Sequence, residues 1–507
     1  MGWPGNAGRR RLAPRRRSRQ AEPARATPTS GGSMTTAVIV GAGPNGLTAA
    51  AVLARAGLDV TVLERLPQIG GAAASAPAFG DQAIIDLGAA GHPFGATSPA
   101  FRSLGLEQHG LEWVHADYPM AHPLPGGRAA ILHRDAERTA RELGVDAGAW
   151  LRMHAPTTAH PYETTEAIMA PLIRVPDDTL LLARIGLRGA WPASLLARSV
   201  FRSGAAQALF AGSATHATLP LGAPITSAFA VAFGGLGHAT GWPFARGGTQ
   251  SIADALASVA QAAGARIETG VDVTDLRELR ADVVLLDLTP HQLLRLAGLD
   301  LSGGYTRRLA NWRYGPGISK LDLLLDGPVP WADARVARAG TVHVGGTMAE
   351  IAAAESDVAR GRMPERPFVL VTQPTAADPE RAPAGKHLVW AYAHVPHAWP
   401  GDASAAIEAQ IERFAPGFRE RIVDRRAMPP AALELWNQNL VGGSIGGGSL
   451  AGTQQLARPV LANPYRVPTP GRVFLCSSST PPGGGVHGMS GWYAAKAALR
   501  SCGAEAD

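Results

Sequence analysis

The residues whose spacing speaks first to chemistry are glycines. In GAGPNG, Gly41, Gly43 and Gly46 keep the G-x-G-x-x-G interval, directly after the β-branched run 37–40 and ahead of helix-forming residues 47–56, which Gly57 ends. The first glycine permits a tight turn, the second lets a pyrophosphate approach the backbone, and the third lets helix and strand pack closely. The amides that open the helix, around Pro44 and Asn45, then face the phosphates at the positive end of the helix dipole. A second apolar run, 60–63, ends in Glu64, whose carboxylate can accept both hydroxyls of a ribose, and Arg65 follows it. Strand, helix, strand and acid in register predict dinucleotide binding. The doublet Gly70 and Gly71 points to a second backbone approach to the same diphosphate, for which a nicotinamide-only enzyme has no obvious need.

Other motifs fail on counting. Tyr-x-x-x-Lys is absent, since Pro316, Ala382 and Trp492 stand four residues before the three lysines. GGGVHG (Gly483, Gly485, Gly488) repeats the glycine interval, but no second strand or ribose acid follows it. GGSIG around Ser444 imitates a hydrolase elbow, yet no Asp lies between Ser444 and His487 to complete a triad. Among 15 histidines no HExxH or comparable spacing occurs, and Pro396 separates His394 from His397, so no metal is expected. Two cysteines, Cys476 and Cys502, exclude a disulfide scaffold. Cys476 ends an apolar run and reads as a small core filler.

The glycine fingerprint with its Gly-Gly doublet, the segment GWPFARGGTQSIADALASVAQAAGARIETGVDVTDL and the ending PTPGRVFLCSSSTPPGGGVHGMSGWYAAKAAL together resemble the phytoene desaturase-like branch of flavin oxidoreductases, relatives of the amine oxidases. The resemblance spans residues 36–500 and implies FAD. Carried over by position, it places Gly41, Gly43, Gly46, Gly70 and Gly71 around the pyrophosphate and Glu64 on the adenosine ribose. It places Val273 at the adenine, and Ser478, Gly485, Val486 and His487 along the ribityl and isoalloxazine end. The family commonly inserts a β-hairpin ahead of the ADVVLLDL strand, where only TDLREL stands here, so a more open adenine side is expected. The implied chemistry is hydride removal from an apolar substrate, isoprenoid or lipid, with oxygen or a quinone as acceptor. An amine oxidase, or a flavin-binding regulatory protein without turnover, are the alternatives.

The catalytic candidates are Lys320 and His487. Arginine outnumbers lysine 44 to 3, which makes Lys320, in the alternating run ISKLDLLLD, a compositional exception. It is either a flavin-facing lysine holding a water or a strand cation paired with Asp322, two residues on and on the same face. His487 is placed to assist proton transfer or to stabilise reduced flavin, the alternative being packing. His92 and His238, in AAGHPFG and GLGHATG, are candidates for lining the substrate cavity or for ordinary core hydrogen bonding.

These residues need a scaffold that 507 residues, 46% of them hydrophobic, can supply. The expected fold class is α/β, a discontinuous Rossmann-like FAD-binding domain (35–99, 242–289 and 440–500) with an inserted substrate domain of helices over a mixed sheet (100–241 and 290–439). Strand candidates in the latter are 318–325, 341–344, 368–372 and 388–394, whereas 101–202 reads as helical and amphipathic, broken by prolines. Residues 203–245 contain no Asp, Glu, Lys or Arg, which predicts burial or an apolar cavity wall. The net charge of +6 is carried by residues 1–33, where eight arginines face Glu22 alone. That arm is expected to be disordered, and Met34 after it allows the arm to be upstream sequence. With the arm set aside the chain is near neutral, so no nucleic-acid partner is expected. No run of 18 apolar residues occurs, and the expected location is cytoplasmic with possible peripheral membrane contact.

Overall fold

Residues 34–171 and 179–504 are described in the computed structural model of the chain, so the expected arm lies outside the described residues. The run 37–40 becomes strand β1 (Thr36–Val40), the fingerprint opens helix α1 (Pro44–Arg55), and β2 (Asp59–Glu64) returns parallel to β1. β1 also pairs in parallel with Val283–Leu286, which pairs with Arg472–Leu475, while β2 takes Arg266–Thr269 at the other edge. Five parallel strands thus come from three distant stretches of chain. Both faces of such a sheet need cover, which explains the unbroken apolar character of VVLL and VFL. α1 is buried on almost every side because helices Gln250–Ala262 and Met489–Ser501 pack beside it, and Ala49, Ala50 and Ala51 allow the close approach.

The second sheet has seven strands, in the order Ile422–Met428, Gly317–Leu325, His387–Val395, Val369–Thr372, Ala339–Val344, Tyr118–Leu124, Arg128–Leu132. Its pairs are antiparallel except that of Ala339–Val344 with Tyr118–Leu124, so the sheet is mixed, as expected. The last two strands correct the reading of 101–202 as helical segments broken by prolines. Pro119 and Pro123 disguise the first as a broken helix; Pro123 lies past Ala121, where pairing with Ala339–Val344 ends, and so has a strand partner on one side only. Helices Gly204–Ala214 and Thr226–Ala239 cover one face of this sheet, burying Phe210 and Val231 with Trp150 and Phe201. Between Thr269 and Val283 a single 3-10 turn, Leu276–Glu278, stands where a hairpin is usual in the resembled family. From Thr35 onward the chain forms one unit, and no helix among the described residues is long and apolar enough to span a membrane.

Candidate functional site

The turn after β1 is tight for steric reasons that can be read atom by atom. Gly41 has φ +103°, and a Cβ on Gly46 would lie 2.0 Å from the Gly41 carbonyl oxygen. A Cβ on Gly43 would come within 2.8 Å of Asp287 Oδ2. The Gly70 amide donates to the Ala42 carbonyl at 2.9 Å, and a Cβ on Gly71 would sit 3.1 Å from Gly43 Cα. The doublet therefore lays its backbone against the first turn, a cradle that side chains would fill.

Glu64, at the end of β2, is buried. Its Oε2 accepts from Ala42 N at 2.7 Å and its Oε1 from Leu66 N at 2.9 Å. A carboxylate has further lone pairs to offer, so it both fixes the turn and faces the space in front of it. Asp287, just past the Val283–Leu286 strand, accepts from Gly46 N at 3.2 Å. Burial pushes its carboxyl up to about 7, with nearby Glu64 adding to the rise.

All of this opens on one cavity of about 510 Å³, a volume suited to a cofactor or small-molecule site. Gly41, Gly43, Pro44, Asn45, Glu64, Arg65, Gly71, Val273, Asp287, Ser478, Gly485 and Val486 line the half around the glycine turn. Gly46 and Gly70 stand behind that lining and shape it. The other half is walled by Phe94, His216, Phe229, Phe233 and Trp242, with Tyr392 and Trp390 on the second sheet. Phe94 and Phe233 have ring centroids 4.7 Å apart, and Phe233 meets Trp242 edge-on at 5.1 Å.

Of the two descriptions expected for Lys320, the pairing with Asp322 is the one seen. Lys320 also lines the cavity, and both side chains of the pair are fully buried. Burial pushes the Lys320 ammonium down and the Asp322 carboxyl up, each opposed by the other's charge. Its Nζ lies 5.6 Å from the centre of the Trp390 ring.

His487 is placed differently from the expectation of a flavin-end acid or base. Its side chain is not among the cavity's lining residues: Nδ1 accepts from Met489 N at 3.1 Å, and a Cβ on Gly485 would lie 2.8 Å from the ring. Burial holds it at about 4, so it braces the Gly483–Gly485 loop as a neutral ring. His238 is likewise a core residue, accepting from Trp150 Nε1 at 2.9 Å through Nε2 and bonded to the His133 carbonyl through Nδ1. His92 does line the cavity. Its Nε2 bonds Thr249 Oγ1 at 2.9 Å, and since that hydroxyl donates to Ala89 O, the imidazole is the Nε2–H donor. Cys476 is a buried free thiol that burial pushes well up.

Sequence reasoning passed over Asp287, His216, Trp390 and Arg458. Arg458 is buried and donates to the carbonyls of Gly446, Gly448, Ser449 and Ser478, tying the glycine-rich stretch 446–449 to the loop after Arg472–Leu475. Nothing local marks it among 44 arginines.

Residues 39–104 match the NAD(P)-binding Rossmann-like domain family. The chain is 27% identical to pyridine nucleotide-disulfide oxidoreductase domain-containing protein 2 of Rattus norvegicus, over 92% of this chain and 93% of the relative. It is 26% identical to a phytoene dehydrogenase of Streptomyces griseus, over 80% and 81% of the two chains. Among solved structures, a putrescine oxidase double mutant superposes with a TM-score of 0.60 at 17% identity, over 92% of this chain and 99% of the other. Residues 39–104 thus form a Rossmann-like domain, and the chain shares the fold of the putrescine oxidase structure.

Proposed function

We propose that the chain binds FAD and uses it to remove a hydride from an apolar substrate. The observation that carries this reading is the continuity of one cavity from the glycine turn and Glu64 to the aromatic wall of the second sheet and its helices. The cradle fits the cofactor: Gly41, Gly43, Gly46, Gly70 and Gly71 expose backbone where a diphosphate needs close approach, with Pro44 and Asn45 opening α1 toward it. Glu64 would hold the ribose, with Arg65 beside it, and Val273 the adenine. Ser478, Gly485 and Val486 would lie along the ribityl and ring end, on a loop that His487 braces.

Bound there, FAD would supply the oxidising chemistry: it would take a hydride, one proton with two electrons, from a substrate carbon while a second proton leaves to water, and two electrons and two protons would end on oxygen or a quinone as hydrogen peroxide or quinol. The protein's share is alignment and exclusion of water. Phe94, Phe229, Phe233 and Trp242 supply an apolar wall, and Lys320 is the group we assign to hold a water or a proton within it. An amine substrate is the second reading, favoured by the likeness to putrescine oxidase. Against it, the carboxylates lining the cavity, Glu64, Asp272 and Asp287, all belong to the half around the glycine turn.

Delivery of an apolar substrate fits a surface on the same domain. Helices Thr179–Gly189 and Ala193–Val200, with the turn between them, expose Leu180, Leu187, Trp191 and Leu195 beside exposed Arg184 and Arg198. Aromatic and aliphatic side chains among cations suit peripheral contact with an anionic bilayer. Co-sedimentation with phosphatidylglycerol vesicles, lost in Trp191→Asp, is the expected result.

The function itself is tested by mixing the yellow protein anaerobically with isoprenoids, lipids and amines and following flavin absorbance. Bleaching by an apolar compound supports the proposal. Bleaching by amines alone selects the second reading, and no bleaching with FAD firmly bound would show a binding protein without turnover.

A further inference from the structure

His216 lies in the turn Thr215–Ala217 that ends the Gly204–Ala214 helix, and its ring is part of the cavity wall. Phe233 and Trp242 meet it edge-on at 4.8 and 5.3 Å. Its Nε2 is 3.1 Å from Nε2 of His343, which sits on the Ala339–Val344 strand behind it. Two Nε2 atoms bond only if one carries hydrogen and the other a lone pair.

His343 is fully buried, and its Nδ1 has no partner. A hydrogen on that Nδ1 would be a buried, unpaired N–H, a rarer fault than a bare lone pair. His343 therefore carries its hydrogen on Nε2 and donates it to His216, which leaves the hydrogen of His216 on Nδ1. That Nδ1 makes no hydrogen bond among the described residues. Gly212 preserves the arrangement, since a Cβ there would come within 2.7 Å of the His343 ring. The charged forms are suppressed: burial, with His394 adding, holds His216 at about 3, and burial with His216 and His122 pushes His343 well down. Thr341, two residues before His343 and on the same face, adds a buried hydroxyl without a partner to the same cavity.

We propose that the Nδ1–H of His216 is the recognition point for a hydrogen-bond-accepting oxygen on an otherwise apolar substrate, such as a ketone, an ester or an alcohol. This rests on the apolar-substrate reading above and narrows it. A plain hydrocarbon would leave the donor unpaired. An ammonium would bring another donor to a place that lacks a carboxylate.

The test is isothermal titration of the flavin-loaded protein with three shape-matched probes: acetophenone, ethylbenzene and α-methylbenzylamine. Acetophenone is expected to bind about tenfold more tightly than either of the others, the gain of one well-placed hydrogen bond. His216→Phe should erase that difference, and His216→Asn, which keeps an N–H donor, should retain part of it. FAD content and melting temperature establish that each variant is folded. Should His216→Phe fail that check, the order of the three probes on the unaltered chain decides. Equal binding of ketone and hydrocarbon, tightest binding of the amine, no binding of any probe, or a ketone preference surviving in folded His216→Phe would overturn the proposal. Because heat and not colour is read, protein that lacks flavin would defeat the FAD assignment without deciding the ketone preference.

Discussion

Asp287 faces the place where a diphosphate would lie, and its charge state is set by burial. The folded-state value of about 7 stands above the ordinary 3.8, so between those values the folded protein keeps a proton that the unfolded chain has released. Its contribution to stability therefore falls as pH rises through that window. An anionic cofactor meets the same penalty, and FAD affinity is expected to drop as pH rises past 7. Asp287→Asn should flatten that profile and tighten binding at pH 8 by about fivefold, roughly 1 kcal/mol; fluorescence titration of the stripped protein measures it, and an unchanged profile would contradict the assignment. Lys320 carries a second prediction. Lys320→Met leaves Asp322 buried without its partner and should cost about 3–5 kcal/mol, whereas Lys320→Met with Asp322→Leu should recover melting temperature but not turnover. Recovery of both would reduce Lys320 to a strand cation. The glycines and Glu64 were legible in the sequence because their relation is local, within one turn and one strand. Asp287 was not, because it reaches Gly46 across 241 residues only when Val283–Leu286 pairs with β1. His238 and His216 show the same limit, since a histidine among small residues reads alike whether it is bonded in the core or faces a cavity.

Helix Thr226–Ala239 shows how one element serves core and cavity together. Gly234 and Gly235 admit His154 and Thr157, and Gly237 admits Leu132, where a Cβ would collide. Phe229 and Phe233 line the cavity, while Val231 packs in the core and Leu236 is fully buried off the cavity. The missing charges in 203–245 predicted an apolar role without dividing it; the division follows from where the second sheet lies. Phe229 is only partly buried, so Phe229→Asp is expected to abolish turnover while FAD occupancy and melting temperature stay close to those of the unaltered protein. Loss of all three together would make the residue core and not cavity wall. The strands at 317–325, 339–344, 369–372 and 387–395 were legible from their apolar alternation or continuity. Tyr118–Leu124 was not, because proline speaks against strand locally and is outweighed here by pairing on both sides.

The parallel sheet draws its five strands from chain segments hundreds of residues apart, so neither the cavity nor its two halves exist in any one segment. The glycine turn depends on strands from residues 36–64 and 283–286, and the aromatic wall of the cavity on a sheet threaded through 118–428. This long-range construction explains why the fold class could be read from scattered motifs while contacts between their side chains could not. It also concentrates the account on one claim, that the cradle at Gly41–Gly46 and Glu64 holds FAD. The most direct test is to purify the chain, record its visible spectrum, denature it with heat and identify the released nucleotide by chromatography. Stoichiometric FAD, with occupancy reduced in Glu64→Ala, is the expected result. Colourless protein that takes up no FAD on reconstitution, or release of FMN, would contradict the account.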